Sequence, residues 1–353
     1  MSILPSSHEL LSELVAVPGP PGQEGAVRGA LAVYIAALRR QSWEDPKGNL
    51  LVGDPAFREG AKRPRILVTA HLDEIALMVT GVESDGNLRV MPLGGAHPYK
   101  WGEGPVEILA GSVAAPTFVP AVLSFGSIHT TAPASTIQQV REGRAVTWDQ
   151  VRVLPGRTPR ELERSGVRPG SRVVLARERR RLWHFGGRFL GSYFLDDRAD
   201  LVTWLMALER LGDRPEILFA ATSSEEVGGE GAQYLMQNYR PEICVALEIG
   251  PTTPDAPFEI DAMPTIWVSD SFAATDPRDL ERLAEAAQAE GLSPHWQAVT
   301  RGGSDASCAA ARGLCARPVT IAFAADNSHG FEIMHQEAME HLMRLLLRYL
   351  QIA

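Results

Sequence analysis

Several things are scarce in this 353-residue chain, and each scarcity excludes something. Cysteine is limited to Cys244, Cys308 and Cys315, an odd number with no CxxC spacing. That excludes a disulfide framework and reads as reduced core thiols of a cytoplasmic protein. No apolar run approaches the roughly 18 residues of a membrane span. The opening MSILPSSHELLSEL has neither the basic leader nor the apolar stretch of a signal peptide. Positive charge is also short: the formal net charge is −9. Nucleic-acid binding wants a basic stripe, so nucleic acid is not expected as a partner, and neither is a membrane. A cationic ligand stays open. The most local shortage is that no lysine or arginine lies between Ala220 and Gln237, although Glu225 and Glu226 stand there side by side. Adjacent carboxylates that close force one to keep its proton, unless a cation stands nearby.

What is present is ordinary globular material: 45% apolar and 22% charged residues, with length enough for two domains. Helices are expected at 7–17 and 24–40, the second with Val27, Leu31, Tyr34, Ile35 and Leu38 on one face. RILVTAHL (65–72) is a continuous apolar run suited to a sheet centre covered on both faces. From about 76 to 187 come short apolar pieces punctuated by Gly and Pro, with TPRELERSG alone reading as helix. Strand–helix alternation then resumes: helix 199–211, strand 216–222, helix 229–237, strands 242–250 and 265–271, helix 277–290, strand 317–324 and helix 333–350. The fold class is therefore α/β, a mixed central sheet covered by helices and interrupted by a small all-β, barrel-like insertion. The expected boundaries are 1–75 and 188–353 for the α/β domain and 76–187 for the insertion.

In open α/β sheets, sites form at the carboxyl ends of the strands. Those ends carry His71, Asp73 and Glu74, then Glu225 and Glu226, then Glu248, and finally His329; Asp196 and Asp197 precede a helix at the return from the insertion. Alone, a His-x-Asp, a Glu pair or an Asp pair before a helix is more often a strand end, a solvated turn or an N-cap. Falling at successive sheet ends, together they suit Zn²⁺ or Co²⁺, with Mn²⁺ also compatible. Two such ions would let Glu225 and Glu226 ionise together.

The segments VTAHLDEIALMVTGV, LDDRADLV, SSEEVGGEGA and GGSDASCAAARG…NSHGFE, in this order, resemble metallopeptidase family forty-two. These are the dinuclear aminopeptidases that form tetrahedral assemblies, among them glutamyl aminopeptidases and proteins labelled cellulase M. The resemblance extends to PGPPGQEGAVR, DPKGNL and GVRPGSRVV, nearly the whole chain. It implies a zinc-peptidase-like fold and a cytoplasmic aminopeptidase that takes short peptides. It also implies a homo-oligomer, dimer or dodecamer, assembled through the insertion. On matching positions, His71 and Glu248 would bind one ion, Glu226 and His329 the other, and Asp196 both. Glu225 would be the general base, Asp73 would fix the His71 ring, and the Asp196–Asp197 peptide would be cis. The sequence departs from the family's pattern in having Glu248 where Asp is usual, and Ala-Asp-Asn-Ser before His329 with Gly330 after it.

Two other readings share the scaffold. A deacylase or carboxypeptidase would need a basic residue for a substrate carboxylate, with Arg198 and Arg301 as candidates. A non-catalytic assembly protein would have no need of the ligand types or of Glu225. Glycoside hydrolysis needs two uncommitted carboxyl groups, and here most candidates would be taken by metal. GGSDA (302–306) divides evenly between a helix-capping turn and a pocket wall.

Overall fold

The structure, a computed structural model, describes residues 2–353. The chain opens with helices Ser7–Val15 and Gly25–Ala37 and strands β1 (Ser42–Glu44), β2 (Leu50–Val52) and β3 (Ile66–His71). Six strands follow: β4 (Ala76–Val82), β5 (Leu88–Leu93), β6 (Gly104–Ser112), β7 (Ala115–Ser124), β8 (Arg152–Leu154) and β9 (Arg172–Leu175). Then come β10 (Trp183–Phe185), β11 (Phe189–Tyr193), helix Leu195–Arg210, β12 (Ile217–Thr222), helix Glu230–Tyr239, β13 (Ile243–Pro251) and β14 (Pro264–Ser269). Helix Pro277–Ala289, β15 (His295–Ala298), helix Asp305–Ala310, β16 (Arg317–Asp326), β17 (Phe331–His335) and helix Ala338–Ile352 complete it.

Two compact units result: residues 1–73 with 181–353, and residues 74–180. The first holds an 11-stranded mixed sheet in the order β1-β2-β12-β3-β13-β16-β17-β11-β10, with β14 branching from β16 and β15 from β14. Its centre is parallel: β12 with β3, β3 with β13, and β13 with β16. The second unit is a closed barrel, β4-β5-β8-β7-β6-β9. Inside it, Arg180 and Glu74 form a buried two-pronged ion pair, Nη2 donating to Oε2 at 2.7 Å.

The apolar runs of the centre divide by strand parity. Ile66, Val68 and Ala70 of β3, Ile217, Phe219 and Ala221 of β12, and Ile243, Val245 and Leu247 of β13 enter one core. That core includes helices Ser7–Val15, Leu195–Arg210 and Ala338–Ile352. The alternate residues Leu67, Leu218, Ala220, Cys244 and Ala246 enter a second core with Ala232, Leu235, Ala306 and Ala309. Continuous hydrophobicity therefore arises from two buried faces, each with the strand's period of two. Helix starts are fixed by local chemistry. Ser6 and Glu9 form a capping box for the first helix, and Asp276 caps the helix that Pro277 opens. The three cysteines are buried and unpaired.

Two expectations need correction. Residues 333–335 are not the start of the final helix: they belong to β17, which pairs with β11 and β16, and the helix begins at Ala338. The insertion compacts at residues 74–180, and β10, expected within it, belongs to the large sheet through its pairing with β11. The second unit also has a helix at Thr136–Arg141, where none was expected. Among the described residues, no helix is long and apolar enough to cross a membrane.

Candidate metal centre

Parallel pairing aligns the carboxyl ends of the central strands. His71 closes β3 opposite Thr222, the last residue of β12, and Glu248 sits in β13 opposite Ala322 of β16. After Thr222 the chain turns through Ser224, in the left-handed region at φ 56°, and presents Glu225 and Glu226. The loop can fold back because residue 231 is glycine. A Cβ there would lie 2.3 Å from the Ser223 carbonyl oxygen and 2.4 Å from Asn49 Oδ1. His329, at φ 58°, follows β16 in a turn closed by Asn327. Asp196 enters from Phe194, at φ 65°, in the first turn of helix Leu195–Arg210; the Asp196–Asp197 peptide is cis.

All five residues anticipated as ligands come together. The donor atoms of Asp196, Glu226 and His329 lie within 4.8 Å of one another, as do those of His71, Glu225 and Glu248, and those of His71, Asp196 and Asp197. Asp196 stands between the imidazoles: Oδ1 is 2.9 Å from His71 Nε2 and Oδ2 is 3.5 Å from His329 Nε2. His329 Nε2 is also 3.8 Å from Glu226 Oε2. Glu248 groups with His71 and Glu225, so Glu225 shares the cluster with the expected ligands.

The polar groups behind this cluster were only partly legible. Asp73 lies 3.6 Å from His71 Nδ1 through its carboxylate, but its backbone carbonyl is nearer, at 3.1 Å. The Asp73 carboxylate chiefly accepts the backbone N–H groups of Glu225, at 2.9 Å, and Glu226, at 3.1 Å. Asp197 accepts the His71 N–H at 2.6 Å. Asn49 Oδ1 accepts the Ser223 N–H at 2.9 Å, and Thr222 donates its hydroxyl to Asp305 at 2.6 Å. Asp305, in the GGSDA turn, is thus tied to a strand end and also opens helix Asp305–Ala310. Glu332, unremarked in the sequence, accepts the N–H groups of both Asp196 and His329. Apart from the local His71–Asp73 and His329–Glu332 contacts, these bonds join remote segments and have no sequence signal.

Electrostatics show what the cluster lacks. Burial, then the Coulombic effect of neighbouring acids, raises Glu225 and Glu248 well above the ordinary carboxylate range. The same causes push Glu226 up to about 7. Burial followed by Asp200 raises Asp197 well above its usual value, and Asp197 Oδ1 and both Asp200 oxygens have no hydrogen-bonding partner. Burial works against a charged His329, yet Glu226 and Asp196 push it up to about 10. Asp196 is the exception: burial works to raise it, but hydrogen bonds with His329 and His71 hold it well below the carboxylate range. Without another cation, then, protons neutralise the acids. Imidazole and carboxylate donors, buried or half-buried, in excess and lacking any ammonium or guanidinium among them, fit divalent cations of the Zn²⁺, Co²⁺ or Mn²⁺ kind. Arg198 is not available to a substrate carboxylate. It is fully buried, with Nη1 donating to the Leu72 carbonyl at 2.8 Å, and Arg301 is exposed.

Comparison with known proteins bears on the family and the fold. The profile of the M42 glutamyl aminopeptidase family matches residues 48–345. A lysyl aminopeptidase of Pyrococcus furiosus is 28% identical over 244 residues, 68% of this chain and 66% of that enzyme. An aminopeptidase structure from Desulfurococcus kamchatkensis superposes with a TM-score of 0.84 at 22% identity, covering 98% of this chain and 95% of that one. The TET1 peptidase of Pyrococcus horikoshii, described as assembling into a tetrahedron or a large octahedral shell, gives 0.82 at 24% identity over 97% and 98%. The two structural likenesses establish the fold.

Proposed function

The chain belongs to the M42 glutamyl aminopeptidase family, a family of peptide hydrolases, and from that premise we propose that it is a dinuclear metal-dependent aminopeptidase. It removes N-terminal residues from short peptides, with Glu225 as general base. The observation that carries this reading is the place of Asp196, one oxygen toward His71 and the other toward His329. A carboxylate so placed suits a ligand shared by two cations, with His71 and Glu248 on one side and Glu226 and His329 on the other. Bound there, divalent cations supply the missing positive charge and the Lewis acidity that brings water and a peptide carbonyl to reaction near neutral pH. Zn²⁺ is the first candidate, with Co²⁺ and Mn²⁺ compatible with the same donors.

The chain's own residues supply the rest. Glu225 has its main chain fixed by Asp73, and its burial disfavours the ionised form, as suits a group that accepts a proton and returns it to the leaving amine. The backbone carbonyl of Asp73 holds His71 Nδ1, which leaves Nε2 facing the cluster. With Arg198 spent on backbone carbonyls, one of the two candidates for gripping a substrate's terminal carboxylate is removed, which favours the aminopeptidase over a carboxypeptidase. By likeness to the TET1 peptidase, we extend the proposal to a homo-oligomer, dimer or dodecamer, built through residues 74–180. The unpaired, buried cysteines favour the cytoplasm. The direct test compares a short peptide bearing a free amino end with its N-acetylated form. Cleavage of the first alone is expected, and equal cleavage of both contradicts the aminopeptidase reading.

A further inference from the structure

Resting on the two-cation reading above, we propose that Glu332 is a positioning residue. It locks the main chain of Asp196 to that of His329 and so sets the distance between the shared carboxylate and the imidazole of one cation. Glu332 lies in β17 opposite Ser192 of β11, and both are buried. Its side chain is 1% exposed, which closes it to solvent. Oε2 accepts the Asp196 N–H at 3.0 Å, and Oε1 accepts the His329 N–H at 2.9 Å.

Each N–H stands where its element begins or ends and meets the Glu332 carboxylate. Asp196 stands in the first turn of helix Leu195–Arg210, where N–H groups have no intrahelical acceptor. His329 stands in a tight turn at φ 58°, beyond the last residue of β16. Buried amides left without an acceptor are costly, so each segment is drawn to the same carboxylate. The two oxygens of one carboxyl group can each accept one of these amides. A glutamine would set its NH₂ against one of the amides, and an aspartate is a methylene shorter.

The arrangement has a counterpart across the cluster. Asp73 accepts the N–H groups of Glu225 and Glu226 at 2.9 and 3.1 Å, which gathers the other acidic loop in the same manner. Glu332 belongs to none of the donor groups found among the described residues, so ligation does not account for its burial. Nor does simple helix capping. One oxygen would cap the helix, whereas here the second oxygen is spent on a turn from a different strand connection. The pair it aligns, His329 Nε2 and Asp196 Oδ2, stands at 3.5 Å.

The test is Glu332→Gln in the full chain, stripped with a chelator and titrated with Co²⁺ by calorimetry and visible absorption. The ion to follow is the one that His329→Ala abolishes. Its affinity is expected to fall about 10–100-fold, the usual consequence of removing a group that orients a ligand, while the other ion changes by only a few-fold. Asp279→Asn, which loosens a buried network elsewhere, gives the pattern of a merely destabilised chain. Wild-type affinity for both ions, or a parallel loss at both as in Asp279→Asn, overturns the proposal. If Glu332→Gln is not recovered folded, Glu332→Asp is read by the same two criteria. A wild-type chain holding fewer than two ions refutes the two-cation reading itself, and shows this before any variant is made.

Discussion

The carboxylate of Asp73 accepts the backbone N–H of Glu225 at 2.9 Å, so the residue two positions past His71 fixes the residue expected to move the proton. Exchanging Asp73 for Asn leaves one acceptor for two amides, those of Glu225 and Glu226. Asp73→Asn is expected to lower kcat by about 10²-fold, since small misplacements of reacting groups carry losses of that size. Steady-state kinetics on a short peptide check this, with KM changing much less than kcat.

Glu225→Gln is expected to keep its ions and lose roughly 10²–10⁴-fold in kcat, the range of general acid–base contributions. Elemental analysis beside the turnover assay separates the two effects. Because the donor atoms of Glu225 group with those of His71 and Glu248, a variant that loses metal instead would reassign Glu225 as a ligand. Normal turnover would remove it from the mechanism.

His71→Ala should lower metal occupancy, because it removes the donor shared by two of the three groups that gather around these strand ends. A fully loaded variant, measured after dialysis against the free ion, would refute that assignment.

Cation binding should strengthen as pH rises. In the protein alone, burial and the neighbouring Asp196 push Glu226 up to about 7, and Glu226 and Asp196 push His329 up to about 10, so both carry protons in the neutral range. A cation must displace those protons, and its apparent affinity rises roughly tenfold per pH unit for each one released. Calorimetry between pH 6 and 8, in buffers of different ionisation enthalpy, reads the count directly. Affinity independent of pH would mean that these residues are not displaced by the ion.

Far from the cluster, Asp279 accepts from Arg317 Nε at 2.8 Å and from the Tyr349 hydroxyl at 2.8 Å, on the buried side of helix Pro277–Ala289. Asp279→Asn is expected to destabilise by about 1–3 kcal/mol, because the largely buried Arg317 guanidinium then keeps only Glu242 as its charge partner and loses a charged acceptor. Burial works to raise Asp279, but Arg317 and Tyr349 hold it below the ordinary value. Its stabilising contribution is therefore complete above the unfolded carboxylate value of about 3.9 and is lost as pH falls through the lower folded one. Denaturant melts of wild type and variant, converging only in that acid window, check the sign.

The legible part of the site was what lies along single segments. Paired acids after an apolar run, a His-x-Asp at a strand end and an Asp pair before a helix are visible in order, and the sheet gathers them because parallel strands align their carboxyl ends. Glu332 and Asn49 were not legible: each accepts a backbone N–H from a remote segment, Asp196 and Ser223 respectively. Asp305 stood out within GGSDA, but its bond to the Thr222 hydroxyl joins remote segments and could not be read. The last three residues of the strand Phe331–His335 read as helix because they run straight into a strongly amphipathic stretch. The strand's inward residues, Glu332 and Met334, alternate, but five residues are too few to separate periods of two and 3.6. Similarly, β10 looks like the short, glycine-punctuated pieces before it, and only its pairing to β11, which pairs in turn with β17, assigns it to the large sheet.

The most direct measurement is the number and location of divalent ions in the purified chain, by elemental analysis and anomalous diffraction after loading with Zn²⁺. Two ions per chain are predicted, one on each side of Asp196, the first in contact with His71 and the second with His329. A chain with no bound ion, or with ions seated away from Asp196, contradicts the account.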